Sequence, residues 1–342
     1  MNMMVRCKAP LRIGLAGGGT DVSPYTDQYG GAILNATISL FAYAFLKLRD
    51  DHHVVLKAMD KQEEVNIEVS PLLRLDGHLD LAKGVFNRLV KDFNIPIRGF
   101  ELTTYVDAPP GSGLGSSSTL VVAILGAFVE AFKLPLGEYD IAHLAYSIER
   151  EDLKMAGGRQ DQYAATFGGF NFMEFGANDK VIVNPLRIKE KVLFELENNL
   201  VLFFTETSRL SSSIIQKQQD NVNNNVLSSI DAMHQLKEQA ILMKEALLKG
   251  EVNQIGEILH FGWQQKKAIA QGITNDSIDL YYETAMNAGA TGGKISGAGG
   301  GGFMIFYAPE NHKFKVIRSL EKIGGKVLPY QFVQYGMVSW GL

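Results

Sequence analysis

The chain has a single cysteine, Cys7, in 342 residues, so it holds no intramolecular disulfide and suits a reducing compartment. Cys7 lies in a strand-like apolar stretch and reads as a small core residue rather than a reactive thiol. Long hydrophobic runs are also missing: Thr119 to Phe132 is apolar but too short to cross a bilayer. The start, Met1-Asn2-Met3-Met4-Val5-Arg6, lacks the apolar stretch of a secretory signal. No basic cluster stands out, and a formal net charge of -4 argues against a general nucleic-acid partner. Any anionic substrate must then be gripped by local lysines, arginines and backbone amides. Internal repeats and low-complexity linkers are absent. What remains is a globular, cytoplasmic chain with 46% hydrophobic and 20% charged residues, long enough for one large or two ordinary domains. The sequence leaves the oligomeric state open, a homodimer included.

What is abundant is glycine, in three clusters. The most informative is Pro109-Pro110-Gly111-Ser112-Gly113-Leu114-Gly115-Ser116-Ser117-Ser118. Before it, Phe100, Leu102, Thr104 and Val106 alternate with their neighbours at the period of a half-buried strand. After it, Thr119 to Phe132 reads as a buried helix. Glycines let a backbone approach an anion closely, the free N–H groups of a helix start point at it, and the serines add hydroxyls. An isolated loop of this kind is as well explained by a tight turn with an N-cap serine. The P-loop pattern fails because no Gly-Lys-Ser/Thr ends the loop, and the dinucleotide fingerprint fails because Ser116 stands where its last glycine belongs.

The second cluster is Ala9-Pro10-Leu11-Arg12-Ile13-Gly14-Leu15-Ala16-Gly17-Gly18-Gly19-Thr20-Asp21. The third runs from Gly292-Gly293-Lys294-Ile295-Ser296 through Gly297-Ala298-Gly299-Gly300-Gly301-Gly302. Its Gly-x-Gly-x-x-Gly match leads into the strand-like Phe303 to Tyr307 instead of a helix, so a Rossmann reading fails here as well.

Periodicity predicts strands over Val5 to Leu15, Ala32 to Leu48, Val54 to Met59, Phe170 to Glu174, Lys180 to Asn184, Leu200 to Thr205 and Lys326 to Phe332. Helices are predicted over Leu81 to Phe93, Glu138 to Leu153, Val226 to Lys249, Val252 to Ala270 and Phe314 to Ile323. Gly250 stops one of them, and Asn275-Asp276 caps another that ends at Ala288-Gly289. Ser211 to Asn225 is polar, rich in Gln and Asn, and receives no element. His260 has no second ligand-type residue spaced around it and reads as structural.

Together, in this order, the three clusters resemble the signature motifs of the GHMP kinase superfamily (galactokinase, homoserine kinase, mevalonate kinase, phosphomevalonate kinase), and the resemblance spans the chain. The run from Asp21-Val22-Ser23-Pro24-Tyr25 to Asn35-Ala36-Thr37-Ile38 looks most like the bacterial D-glycero-D-manno-heptose 7-phosphate kinases. The resemblance implies an α+β chain of two domains. Residues 1–184 would form a mixed, ribosomal protein S5 domain 2-like ATP-binding domain, and residues 185–342 a ferredoxin-like one, with the active site between. It implies ATP and Mg²⁺ as cofactors and transfer of phosphate to the anomeric C1 hydroxyl of heptose 7-phosphate, toward activated heptose for surface polysaccharide. A kinase of a neutral sugar such as fucose or galactose, and a non-catalytic nucleotide sensor, are the competing readings.

Phosphoryl transfer needs donor and acceptor held in line, charge neutralised and the nucleophile oriented. Gly157-Gly158-Arg159-Gln160-Asp161-Gln162 resembles the galactokinase segment with the catalytic aspartate, which implies Asp161 as base or orienting carboxylate; a helix N-cap is the plain alternative. Arg12 takes the cationic place beside it. Nucleotide phosphates would lie on Pro110, Gly111, Gly113, Leu114, Gly115, Ser116, Ser117 and Ser118, with Gly297, Gly299 and Gly300 opposite. The family pattern maps the magnesium ligands to Ser117 and Glu149, with Glu151 and Asp152 as rivals of the latter. Gly18, Gly19, Thr20, Asp21 and Arg159 are expected at the substrate. Galactokinases carry Glu and His where this chain has Gly18 and Gly19, which makes room for a larger sugar. A distal phosphate would need cations, for which Arg159, Lys83, Arg88, Arg209 and Lys217 are candidates.

Overall fold

The computed structural model describes residues 3–207 and 211–342, so Met1, Asn2 and the candidate Arg209 lie outside the described residues. The first half is built on an eight-stranded sheet. Its strands are β1 (Met4–Ala16), β2 (Gly31–Leu48), β3 (His53–Ala58), β4 (Glu63–Glu68), β5 (Phe100–Val106), β6 (Phe170–Phe175) and β7 (Val181–Pro185), closed by the last strand of the chain. The long β2 serves two neighbours in turn: Gly31 to Ala36 pair with β6, and Ala42 to Leu48 pair with β5. The helices of this half are α1 (Tyr25–Tyr29), α2 (Asp80–Phe93), α3 (Ser116–Phe132), α4 (Glu138–Ser147) and α5 (Gln160–Phe167).

The alternation read in Phe100 to Val106 is the observed one, with Phe100, Leu102, Thr104 and Val106 all buried. The unbroken apolar character of α3 follows from its place, packed against β1 and β2 and covered by α4 and α5. Phe86 of α2, Phe100 of β5 and Phe128 of α3 interlock with ring centroids 5.1 and 5.3 Å apart, one of the contacts edge-on. Such ring pairs add about 0.5–1.5 kcal/mol each beyond their buried area. They fix the loop between β5 and α3, which is the glycine-serine loop.

In the second half, α6 (Glu190–Asn199), β8 (Leu200–Phe204), α7 (Ser211–Asn223), α8 (Leu227–Lys249), α9 (Ile255–Ile269), α10 (Asp276–Ala288), β9 (Gly292–Ile295), β10 (Phe303–Tyr307), α11 (Lys313–Glu321) and β11 (Lys326–Val327) follow in order. The antiparallel sheet runs β11-β8-β10-β9, the fourth-first-third-second order of a ferredoxin-like unit. The terminal β12 (Val338–Gly341) leaves this unit and pairs with β1, so a division at 184/185 puts these last residues beside the first sheet. No described helix is long and apolar enough to cross a membrane.

Four expectations change. Ser211 to Asn223 is helical: Ile214, Gln218 and Val222 recur every fourth residue and are buried, a stripe too narrow to stand out among the amides. The strand expected over Lys326 to Phe332 stops at Val327, two residues before Pro329, which has no N–H for a ladder. Glu190–Asn199 and Glu63–Glu68 form elements without having been anticipated. The helix expected to run from Glu138 to Leu153 changes at Ile148 into a π-turn over Ile148–Asp152, closed by Leu153 N–H donating to the Ile148 carbonyl at 3.0 Å.

Candidate active site

The glycine-serine loop folds as an open cradle. Gly111, Gly113 and Gly115 take φ of +71°, +81° and +78°, and no side chain caps the start of α3. The first N–H groups of a helix have no partner within it, so those of α3 stand available to an anion. The third glycine cluster closes over the loop: Phe303 N–H donates to the Ser112 carbonyl at 2.8 Å, and Ser296 Oγ to the Gly113 carbonyl at 2.9 Å. A Cβ on Gly113 would meet Ser296 O at 2.2 Å. The two halves of the chain therefore meet backbone to backbone at the cradle.

Two cavities share this loop as a common wall. One, of about 440 Å³, is lined mainly by apolar side chains, among them Leu56, Leu79, Leu102, Val106, Leu120 and Ile124. The other, of about 740 Å³, is polar and holds Arg12, Asp21, Glu149, Asp161 and Lys266 in its walls. Gly111, Ser116, Ser117 and Met155 border both. An apolar slot thus lies on one side of the glycine-serine loop and a charged cleft on the other.

Asp161 sits in the first turn of α5, where Arg159 occupies the capping position, so its carboxylate is not an N-cap. Arg12 Nε and Nη2 both approach Asp161 Oδ1, at 2.7 and 2.6 Å. Oδ2 accepts no hydrogen bond from the described residues and lies where a Cβ on Gly115 would come within 3.2 Å. Arg12 is buried in β1 at a register shift between Pro10 and Arg12, and its Nη1 also donates to the Gly113 carbonyl at 2.5 Å. One guanidinium thus joins the cradle to the carboxylate.

Glu149 is 1% exposed, turned into the cleft from the π-turn. Its Oε1 accepts from Ser117 Oγ at 3.1 Å and its Oε2 from Gln162 Nε2 at 2.5 Å. Its rivals face elsewhere: Asp152 binds Arg88 at 3.0 Å, and Glu151 is exposed, 3.8 Å from the same guanidinium. The donor set of Glu149 and Ser117, one carboxylate and one hydroxyl beside the cradle, suits a hard cation that keeps most of its waters and its phosphate ligands.

Asp21 is buried, and Oδ2 accepts the backbone N–H groups of Arg159 at 2.8 Å and Gln160 at 3.0 Å. Desolvation pushes its carboxyl above the usual range, opposed by those N–H groups and reinforced by Asp161. Gly158 must be glycine-like in size, because a Cβ there would lie 2.0 Å from Asp21 Oδ2.

Not every expected residue reaches the cleft. Arg12, Gly19, Asp21, Gly111, Gly113, Gly115, Ser116, Ser117, Ser118, Glu149, Asp161 and Gly297 line it, while Pro110 lines the apolar cavity. Leu114 contributes only backbone, its side chain being in the core. Gly299 and Gly300 pack on Ile273, Gly300 through its N–H to the Ile273 carbonyl at 2.9 Å. Thr20 Oγ1 is spent on the carbonyls of Gly17 and Ala32, and Gly18 offers its carbonyl to a lysine of α9. Arg159 is withdrawn as a phosphate ligand: its guanidinium is ion-paired with Asp27 at 3.1 Å and Asp179 at 2.9 Å. Lys83 is buried against Asp76 and Asp80, Arg88 serves Asp92 and Asp152, and Lys217 is exposed off the cleft wall.

The residue that sequence reasoning missed is Lys266. It interrupts the buried stripe Leu259, Trp263, Lys266, Ile269 of α9, and a lysine on an apolar face is the signal that could have found it. Its Nζ donates to the Gly18 carbonyl at 3.0 Å, and Lys294 from β9 donates to the Gly14 carbonyl at 2.9 Å. Burial, opposed by Asp21 and aided by Arg12, brings the Lys266 amine down to about 8, and burial aided by Lys266 and Arg12 brings the Lys294 amine down to about 7.

Residues 80–169 match the GHMP kinases N terminal domain and residues 243–326 match GHMP kinases C terminal. The chain is 47% identical to the D-glycero-alpha-D-manno-heptose 7-phosphate kinase of Campylobacter jejuni subsp. jejuni serotype O:2, over 98% of each. A solved D-glycero-D-manno-heptose 1-phosphate kinase from Bacteriodes thetaiotaomicron superposes with a TM-score of 0.85 at 46% identity, covering 98% of both chains. The galactokinase of Lactococcus lactis shares the fold, with a TM-score of 0.78 at 20% identity, over 98% of this chain and 95% of that one.

Proposed function

The chain belongs to the GHMP kinase family, and from that premise we propose that it phosphorylates the anomeric C1 hydroxyl of D-glycero-D-manno-heptose 7-phosphate with ATP, giving the 1,7-bisphosphate. It is a heptose phosphate kinase by its likeness along the whole chain to relatives so named. Those names differ in where they put a phosphate, at position 7 in one and position 1 in the other. A substrate that enters with its phosphate at position 7 leaves the anomeric hydroxyl free to react.

The observation that carries this reading is Asp161, anchored through Oδ1 by Arg12, with Oδ2 beside the loop at Gly115 and accepting no hydrogen bond from any described residue. In the proposed reaction the adenine lies in the apolar cavity and the phosphates lie on the N–H groups of Gly113 to Ser118. Asp21 accepts a hydrogen bond from a sugar hydroxyl. Asp161 Oδ2 accepts the proton of the attacking hydroxyl and aims its oxygen at the γ-phosphorus, while the leaving ADP stays on the loop. Arg12 holds the carboxylate still and, through the Gly113 carbonyl, keeps it in register with the loop. Ser117 and Glu149 are the residues that would hold Mg²⁺, which would neutralise charge on the β- and γ-phosphates. The buried Cys7 and the use of ATP fit a cytoplasmic enzyme.

ADP release under Mg-ATP, measured with heptose 7-phosphate, mannose 6-phosphate, fucose, galactose and mevalonate, tests the proposal. Turnover confined to heptose 7-phosphate and lost in Asp161→Ala is expected. Turnover on a neutral sugar alone would replace the substrate, and nucleotide binding without turnover on any of them would replace the activity.

A further inference from the structure

Lys266 is a buried cation that no described carboxylate pairs with directly. It is 3% exposed, lies in the wall of the charged cleft, and forms no ion pair among the described residues. An ammonium carries three donors, and among the described residues Lys266 makes one hydrogen bond, to the Gly18 carbonyl. The charged groups that face it are Asp21 from the loop after β1, Arg12 from β1, and Lys294 from β9. Two of these three repel it. Burying a cation in such company is costly unless something anionic completes the site.

The remaining cations of the cleft are engaged or peripheral. Arg12 is committed to Asp161, and Arg150 donates to the carbonyls of Met155 and Gly158. Lys154 is exposed and adjoins Met155, which borders the apolar cavity. Access to Lys266 is set by Gly19. A Cβ built there would stand 3.1 Å from Lys266 Nζ and 3.2 Å from Gln218 Oε1, so any side chain would fill the space in front of both groups. Gln218 is itself buried, its Nε2 held by the Gly19 carbonyl at 2.8 Å. An amine and an amide therefore flank a bare backbone position in the acceptor cleft.

We propose that Lys266, reached past the bare Cα of Gly19, binds the phosphate already carried by the sugar and makes the enzyme select phosphorylated over free sugar. The assignment rests on the sugar-phosphate reading above and adds the residue that enforces it. Asp21 takes hydroxyls of the same sugar, and Asp161 its reacting oxygen, so three side chains fix the acceptor at separate points. No bond is made or broken at Lys266.

The test compares wild type, Lys266→Met and Lys266→Arg on heptose 7-phosphate, on the same heptose without phosphate (as substrate, or as competitor where it is not turned over), and on ATP. Loss of one hydrogen bond to a charged group predicts a KM for heptose 7-phosphate raised by about 10- to 100-fold in Lys266→Met. The KM for ATP and the affinity for the free heptose stay within about twofold on the same reasoning. Lys266→Arg, which keeps the charge, restores most of the preference. Equal losses on both sugars would mean that Lys266 only shapes the Gly18 loop, and a raised KM for ATP alone would put it on the donor side; either overturns the assignment, as does no change. If wild type phosphorylates only free sugars, the substrate reading fails and the assignment falls with it. If wild type uses heptose 7-phosphate and Lys266→Met does too, unchanged, only the assignment falls.

Discussion

Arg12 grips Asp161 by one oxygen only: Nε and Nη2 converge on Oδ1 at 2.7 and 2.6 Å, and Oδ2 faces the phosphate cradle unbonded by any described residue. A side-on pair of this kind leaves one carboxylate oxygen anchored and the other open to the cleft, the half we assign to the reaction. The arginine also donates to the Gly113 carbonyl at 2.5 Å, so the working oxygen is fixed relative to the loop and not merely to β1.

The division predicts different outcomes for the two partners. Asp161→Asn keeps the shape and loses the acceptor, so kcat falls by ~10²–10⁴, the usual value of a positioned base, with the KM for ATP unchanged. Arg12→Met releases Asp161 and the Gly113 carbonyl together, so kcat falls and the KM for ATP rises. Steady-state kinetics of the two variants against both substrates checks the contrast. A shared pattern would mean that the pair acts as one structural unit.

Glu149 gives a second separation. Glu149→Gln keeps the volume and can still bond Ser117 and Gln162, yet removes the charge from the wall. The Mg²⁺ concentration for half-maximal rate rises by about tenfold or more, the range seen when a metal site loses part of its support. Asp152→Asn, which touches only Arg88 on the surface, leaves it unchanged. Manganese binding followed by magnetic resonance in the presence of ADP provides the readout that does not depend on turnover.

The sequence made much of this legible because glycine and period carry local rules. The strand of alternating residues from Phe100 to Val106, the Gly250 stop of α8 and the Asn275 cap, whose side chain accepts from Ile278 N–H, depend on neighbours in the chain and were readable there. The motif residues Arg12 and Asp161 were readable from the resemblance, and they meet across 149 positions of sequence. What was hidden depends on tertiary context. Arg159 and Lys266 look alike as isolated cations, and only the fold gives the first two ion-paired carboxylates and the second none in ion-pair contact among the described residues. The π-turn that turns Glu149 inward has no local signature, and the amides of α7 masked its stripe.

Gly113 tests the backbone junction. At φ +81°, with Ser296 O only 2.2 Å from where a Cβ would stand, Gly113→Ala meets both left-handed strain and a backbone atom that no rotamer can clear. The left-handed conformation alone costs about 1–2 kcal/mol for an L-residue. The variant therefore unfolds several degrees lower, by about 2–4 °C for each kcal/mol lost in domains of 150–250 residues, and its KM for ATP rises. Gly77→Ala, at φ +92° but with nothing within 4 Å of the new Cβ, separates conformational strain from the clash. Calorimetry on the two proteins measures the difference.

The two buried lysines make stability and binding respond to pH in opposite directions. Both amines lie below the ordinary lysine value of 10.5, at about 8 for Lys266 and about 7 for Lys294. Between those values and 10.5 the unfolded chain holds more protons than the folded one, so their contribution to stability rises with pH across that window. Below about 7 both are charged in the fold, and the full burial penalty applies. Binding of a phosphate needs the opposite state, a protonated Lys266, and weakens as pH rises through about 8. The ligand-free protein is thus expected to gain thermal stability from pH 7 toward 9.5 relative to Lys266→Met, whose slope is shallower because it lacks one of the two amines. Over the same range the KM for heptose 7-phosphate climbs in wild type and stays flat in the variant, while heptose 7-phosphate binding near pH 8.5 takes up protons, seen by calorimetry in buffers of different ionisation heat. A wild-type KM that is level from pH 7 to 9.5 would remove Lys266 from the phosphate, because an amine held down by burial beside Arg12 cannot bind an anion equally well with and without its proton.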